Sequence, residues 1–127
     1  MHPAPRPTDA ELAILRVLWA RGASTVREVA NDLNLDRQVG YTTVLKIMQI
    51  MFEKGLVVRD ASKRTHVYRP KHSEEKTLRQ LVQDLVQRAF GGSAQKLVLQ
   101  ALSSKRSSRE ELDEIQTLIE QMKGAQS

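Results

Sequence analysis

Apolar positions recur along this chain mostly at helical spacing, and polar capping residues mark where each run starts. Thr8 and Glu11 form a capping pair, after which Leu12, Leu15, Leu18 and Trp19 repeat every three or four residues with Ile14 adjoining, and Gly22 ends this first helix. Thr25 and Glu28 repeat the capping pair ahead of Val26, Val29, Ala30 and Leu33, a short second helix. After a turn from Asn34 to Gly40, a third helix is predicted from Tyr41 to Lys54, with Val44, Ile47, Met48 and Met51 as its buried stripe and Gly55 as a left-handed cap. The period then shortens. Leu56 to Asp60 and Thr65 to Arg69 predict two strands around a polar tip, Ala61 to Arg64, with Pro70 ending the hairpin.

The rest of the chain returns to helical spacing. From Ser73 to about Phe90, Leu78, Leu81, Val82, Leu85, Val86 and Ala89 share one face, and Gly91-Gly92 breaks the run. A further helix covers Ala94 to Leu102 and includes Leu97, and Ser103 to Ser107 is expected as a loop. Ser108 and Glu111 then cap a last helix carrying Leu112, Ile115, Leu118, Ile119 and Met122. Three helices with apolar stripes in 55 residues make a marginal unit alone, so these faces are expected to complete a core against a second copy, giving a homodimer.

The order helix, helix, helix, strand, tip, strand matches a helix-turn-helix with a β-hairpin wing. The expected fold class is mainly α. Residues 1–7, with three prolines, are expected to be a disordered arm, 8–72 a winged-helix domain of the kind that binds DNA, and 73–127 a three-helix dimerisation domain.

Composition fits a helical chain, with 40% apolar but only 4% aromatic residues among 127. The absence of cysteine removes disulfides, thiol nucleophiles and Cys-based metal sites, and points to a reducing, cytoplasmic location. No run approaches the ~18 apolar residues of a membrane span, and Met1 to Thr8 lacks a signal peptide's apolar segment, so neither export nor membrane insertion is expected.

Charge changes the picture more. Residues 1–72 hold twelve basic and seven acidic side chains, whereas 73–127 hold eight of each. From Arg37 to Lys71 there are eight basic residues against two acidic ones, which concentrates positive charge on the third helix and the wing. Turning 100° per residue from Val44, the face opposite the core carries Thr42, Lys46, Gln49 and Glu53, flanked by Thr43 and Ile50. Such side chains suit base edges, since Gln pairs with adenine, Lys donates to guanine or phosphate, and a threonine methyl meets a thymine methyl. The same residues also suit an ordinary solvated helix face, and the basic context tips the balance towards DNA. Lys63 and Arg64 at the hairpin tip are placed to meet phosphates. Tyr41 begins the third helix, where its hydroxyl can bond a phosphate or its ring can pack beneath the helix.

These residues resemble the penicillinase-repressor family, which includes the β-lactamase and methicillin-resistance repressors and their copper-responsive relatives. The resemblance rests on Leu18-Trp19, Thr25-Val26-Arg27-Glu28-Val29, Gly40-Tyr41-Thr42-Thr43-Val44, Lys54-Gly55-Leu56 and Tyr68, and covers essentially the entire chain. It implies a winged-helix repressor that dimerises through its C-terminal helices on a palindromic operator. DNA would be read by Thr42, Thr43 and Lys46 with support from Lys63 and Arg64. The resemblance also implies release by proteolysis in the dimer domain, triggered by a membrane sensor-transducer metalloprotease that detects β-lactam. Matching Leu97-Val98-Leu99 to the cleaved region puts the bond at Ser93-Ala94. Staphylococcal members present Asn-Phe there, so cleavage by that protease and β-lactam as the signal stay open. Ile50 stands where many relatives carry arginine, and the missing cysteines exclude the family's copper chemistry.

Other classes have less support. No Gly-rich phosphate loop, HExxH or G-x-S-x-G motif suggests an enzyme, and no cofactor or metal is expected. His66 and His72 with Asp60 are read as solvated or packed side chains rather than metal ligands. A protein-interaction adaptor is the alternative, although it gains little from a basic helix and wing. RNA ranks below DNA because stacking aromatics are scarce.

Overall fold

A computed structural model describes residues 5–34 and 40–126. Residues 1–4, most of the expected arm, and 35–39, the expected turn with Arg37, lie outside the described residues. The elements run α1 (Asp9–Arg21), α2 (Val26–Leu33), α3 (Tyr41–Lys54), β1 (Val57–Asp60), β2 (Val67–Pro70), α4 (Glu74–Ala89), α5 (Ala94–Ser104) and α6 (Arg109–Gln126). The chain divides into two units, with the boundary between Val82 and Gln83 inside α4.

In the first unit the predicted caps form. Thr8 and Thr25 each accept from the backbone N–H three residues on, while Glu11 and Glu28 reach back to the cap N–H, satisfying donors that a helix start leaves free. Gly55 closes α3 in the left-handed region at φ 83°, a conformation that a side chain would strain. The helices converge on Ile14, Leu15 and Leu18 of α1, Val29 of α2, and Val44, Met48 and Met51 of α3, all essentially without exposed surface. Fully burying side chains of this kind contributes about 2 kcal/mol each. Ile47 departs from its expected place in the buried stripe: it packs at the core's edge and keeps part of its surface open.

Leu56, Val57 and Tyr68 carry this core under the wing. Antiparallel pairing sets Val57 opposite Pro70, Val58 opposite Arg69, Arg59 opposite Tyr68 and Asp60 opposite Val67. β1 starts one residue later than expected, at Val57, but ends at Asp60 as expected, while β2 starts two residues later than expected, because residues 61–66 remain exposed and outside the ladder. At the other end, Pro70 is the last paired residue rather than a stop. Successive N–H groups alternate sides, and Lys71 N donates to Leu56 O at 3.0 Å, so the donor that Pro70 lacks is one that would face away from β1. On β2's other side, Ser24 and Tyr68 exchange backbone bonds of 2.9 and 2.8 Å. Ser24 is buried with its hydroxyl donating to Gly22 O and accepting from Arg21 Nε. Trp19 Nε1 donates to His72 O at 3.3 Å, holding the segment that follows the wing against α1.

Within the second unit, Gly91 and Gly92 both take positive φ, and Gly92 N donates to Val86 O at 2.9 Å to end α4. Ser93 caps α5 through a bond from Lys96 N. α5 runs two residues beyond expectation, and in that last turn the Ser103 and Ser104 hydroxyls donate to the carbonyls of Leu99 and Gln100 at 2.7 Å. Ser108 and Glu111 form the expected box ahead of α6. Neither α5 nor α6 has a buried residue, and Val86 is the buried apolar side chain of α4.

Candidate nucleic-acid interface

α3 presents two faces set by its period. Val44, Met48 and Met51 lock one side into the core, which leaves Thr42, Thr43, Lys46, Gln49 and Glu53 exposed on the other, with Ile50 exposed beside them. At its far end Lys54 donates to Glu11 at 2.7 Å, tying the helix to the start of α1. Burial pushes the Glu11 carboxyl up, but the Lys54 ammonium and the bonds from Thr8 outweigh it and hold the pKa below the usual carboxylate value. At its near end the N-cap is Gly40, which has no side chain to satisfy the first backbone N–H groups.

The wing tip is a charged loop. Asp60 accepts from Ser62 N at 2.9 Å, shaping the turn that exposes Lys63 and Arg64. The bonds from Ser62, with Lys63 and Arg69 nearby, hold the Asp60 carboxyl below its usual pKa. Between the wing, α2 and α3 lies an open groove of about 560 Å³ lined by Arg27, Tyr41, Gln49, Arg59, Arg64 and His66 among others.

Two arginines are held there by rings. The Arg27 guanidinium carbon lies 4.7 Å from the centroid of Tyr41, and that of Arg59 lies 4.1 Å from Phe52. The Tyr41 ring is thus partly exposed and stacked under a cation, not packed beneath the helix. Sequence reasoning singled out neither Arg27 nor His66 for this face, since their proximity depends on three elements meeting. His66 lines the groove, whereas His72 sits after the wing, where burial and then Lys76 and Lys71 push its pKa down.

The residues expected at a dimer interface differ in exposure within the chain. Leu78, Val82 and Leu85 of α4 and Leu112, Leu118 and Ile119 of α6 are exposed. Leu81, Leu97 and Ile115 are half-buried, and Val86 is buried. Val98, Leu99 and Met122 add to the open apolar surface. Ser93 and Ala94 occupy the start of α5 just after the Gly91-Gly92 turn.

Comparison with known proteins gives consistent matches. The family model described as penicillinase repressor matches residues 7–121. A transcriptional regulator BlaI of Mycobacterium tuberculosis is 36% identical over 89 residues, covering 68% of this chain and 64% of the relative, so the match spans slightly less than two thirds of that protein's length. The penicillinase repressor of Bacillus licheniformis is 24% identical over 123 residues, 97% of this chain and 96% of the relative. Among solved structures, the Bacillus licheniformis BlaI monomer in complex with the blaP half-operator is 25% identical with a TM-score of 0.51, over 60% of this chain and 93% of that one. A MarR family protein from Bacillus stearothermophilus, 16% identical over 97% of this chain and 78% of its own, has a TM-score of 0.51 and shares the fold.

Proposed function

The chain belongs to the penicillinase repressor family, and from that premise we propose that it is a sequence-specific DNA-binding repressor, a cytoplasmic homodimer that occludes a promoter by binding a two-fold-symmetric operator. One observation carries the reading: α3 is fixed by its core face so that Thr42, Lys46 and Gln49 project outward beside a cationic wing. A relative's complex with half an operator supports the same use of the fold. Thr42, Thr43, Lys46 and Gln49 read bases in the major groove, and Lys63 and Arg64 hold flanking phosphates. No catalytic chemistry enters this function.

The second unit supplies the symmetry. Its open stripe on α6 and that on α4, which spans the boundary between the units, cover one another in a dimer, and the dimer's two-fold axis is mirrored in the operator's inverted repeat. Release is assigned to the same unit. Hydrolysis of the Ser93–Ala94 bond, by a sensor-coupled metalloprotease, cuts the covalent path from α3 to α5 and α6 and so removes two of the three apolar stripes.

Anisotropy with DNA from upstream of the protein's own gene, against a scrambled duplex, tests the reading. Wild type is expected to prefer the specific duplex by about 10³-fold or more. Thr42→Ala or Gln49→Ala should cost ~1 to 3 kcal/mol on that duplex alone. Replacing Lys63 and Arg64 by alanine should weaken both duplexes and lower the salt slope by about 0.9 per lost contact. Equal, weak binding to both duplexes would favour an adaptor whose basic face merely attracts polyanions.

A further inference from the structure

The groove between α2, α3 and the wing holds a cation that the reading above leaves unused. We propose that Arg27 seats one phosphodiester of the DNA backbone, that the Tyr41 ring is the positioning group for its guanidinium, and that Arg64 and His66 close the seat from the wing. The inference rests on the DNA-binding reading and adds a contact made by α2.

Two arginines near the ends of α1 and α2 show why Arg27 is the available one. Arg21 is neutralised, with Glu28 at 2.7 Å and Asp32 at 3.3 Å. Arg27 has no carboxylate partner among the described residues; its recorded contact is the face of Tyr41 at 4.7 Å. A guanidinium held over a ring by a cation–π contact keeps N–H groups that can pair with phosphate oxygens. That contact also lowers the entropy lost when a long side chain is ordered by a ligand.

The surroundings fit an anion. Among the described residues lining the groove there is no Asp or Glu, while Arg27, Arg59, Arg64 and the imidazole of His66 all border it. Arg59 is stacked on Phe52 in the same manner, 4.1 Å from the ring centroid. Gln49 borders the groove and also lies on the outward face of α3, so a phosphate seated here adjoins the line along which bases are read. The sequence leaves two roles open for Tyr41, a hydroxyl bond to phosphate or a ring packed beneath the helix, and the seat adds a third, a ring that holds Arg27.

Phosphate contacts do not depend on sequence, so a fluorescent duplex of random sequence serves as the probe, titrated between about 50 and 200 mM salt. Arg27→Gln should weaken binding several-fold and lower the salt slope by about 0.9 per protomer bound. Tyr41→Phe and Tyr41→Trp should bind as wild type, Tyr41→Leu should match Arg27→Gln, and the double variant Tyr41→Leu/Arg27→Gln should lose no more than either single one. Thermal melts in the same buffer confirm that each variant is folded. An unchanged slope for Arg27→Gln, while Lys63→Ala outside the groove loses its share, would overturn this seat and leave the DNA-binding reading intact. Equal losses for Tyr41→Phe and Tyr41→Leu would return the contact to the hydroxyl and overturn the positioning role. A wild type with no salt-sensitive binding would overturn both readings.

Discussion

The two units of this chain use the same residue alphabet and reach opposite states of burial. In the first, the apolar stripes of three short helices and the underside of a hairpin meet one another, so that Ile14, Val29, Val44, Met48 and Tyr68 have almost no surface left. In the second, α5 and α6 carry equally regular stripes and bury nothing within the chain. Periodicity makes a helix face apolar in both; only the presence of a partner face makes it a core. The first unit is therefore completed by its own sequence, whereas α5 and α6 leave their stripes open within the described chain, and on the reading above a second copy covers them.

The sharpest way to break that contrast is to put charge on the unfinished surface. Leu118→Asp on α6 should cost several kcal/mol of association, because a carboxylate would lose water without gaining a partner. Sedimentation should then show monomers where wild type is dimeric, with the first unit still folded. An intact dimer would mean that α6 is not part of the interface. Next in size, Met48→Ala in the closed core should cost about 3 kcal/mol of the first unit's stability through the cavity it leaves. Denaturant titration followed by Trp19 fluorescence checks it, and association should be unaffected.

The smallest effect concerns the ion pair that fastens α3 to α1. Lys54→Met leaves the buried Glu11 carboxylate unpaired and should cost about 2 kcal/mol, less than a fully buried pair because Lys54 is partly exposed. Its signature is in the pH dependence. The folded pKa of Glu11 lies below the ordinary glutamate value of 4.5, so its contribution is present above that value and is lost as pH falls through the folded pKa. Wild-type stability should therefore drop on acidification below about pH 5, and the variant should show a shallower drop. Parallel pH profiles would remove Glu11 from the account.

Much of this was legible in the order of residues. Helix starts were readable because Thr8 with Glu11, Thr25 with Glu28 and Ser108 with Glu111 satisfy backbone donors locally, within the segment being read. The outward face of α3 was readable because period alone fixes it once the core side is known. The ends of the strands were not, since Thr65 has the composition of a strand residue but pairing depends on what lies opposite. Ile47 was placed too deep because a stripe has an edge that only neighbouring elements define. The stacked pairs Arg27 with Tyr41 and Arg59 with Phe52 join separate elements, and no spacing rule connects them. The stripe of α6 was readable from its period, and within the described chain that helix buries no residue.

Ser24 gives the wing a history as well as a place. Its backbone exchange with Tyr68 joins the turn after α1 to a strand that is synthesised long after it. A two-stranded hairpin alone is marginal in water, and a contact between residues far apart in sequence forms only once the intervening chain has collapsed. On that ground the hairpin is expected to order late, after the turn that carries Ser24. The outward face of α3 is then expected to form before Lys63 and Arg64 are held in place at the tip.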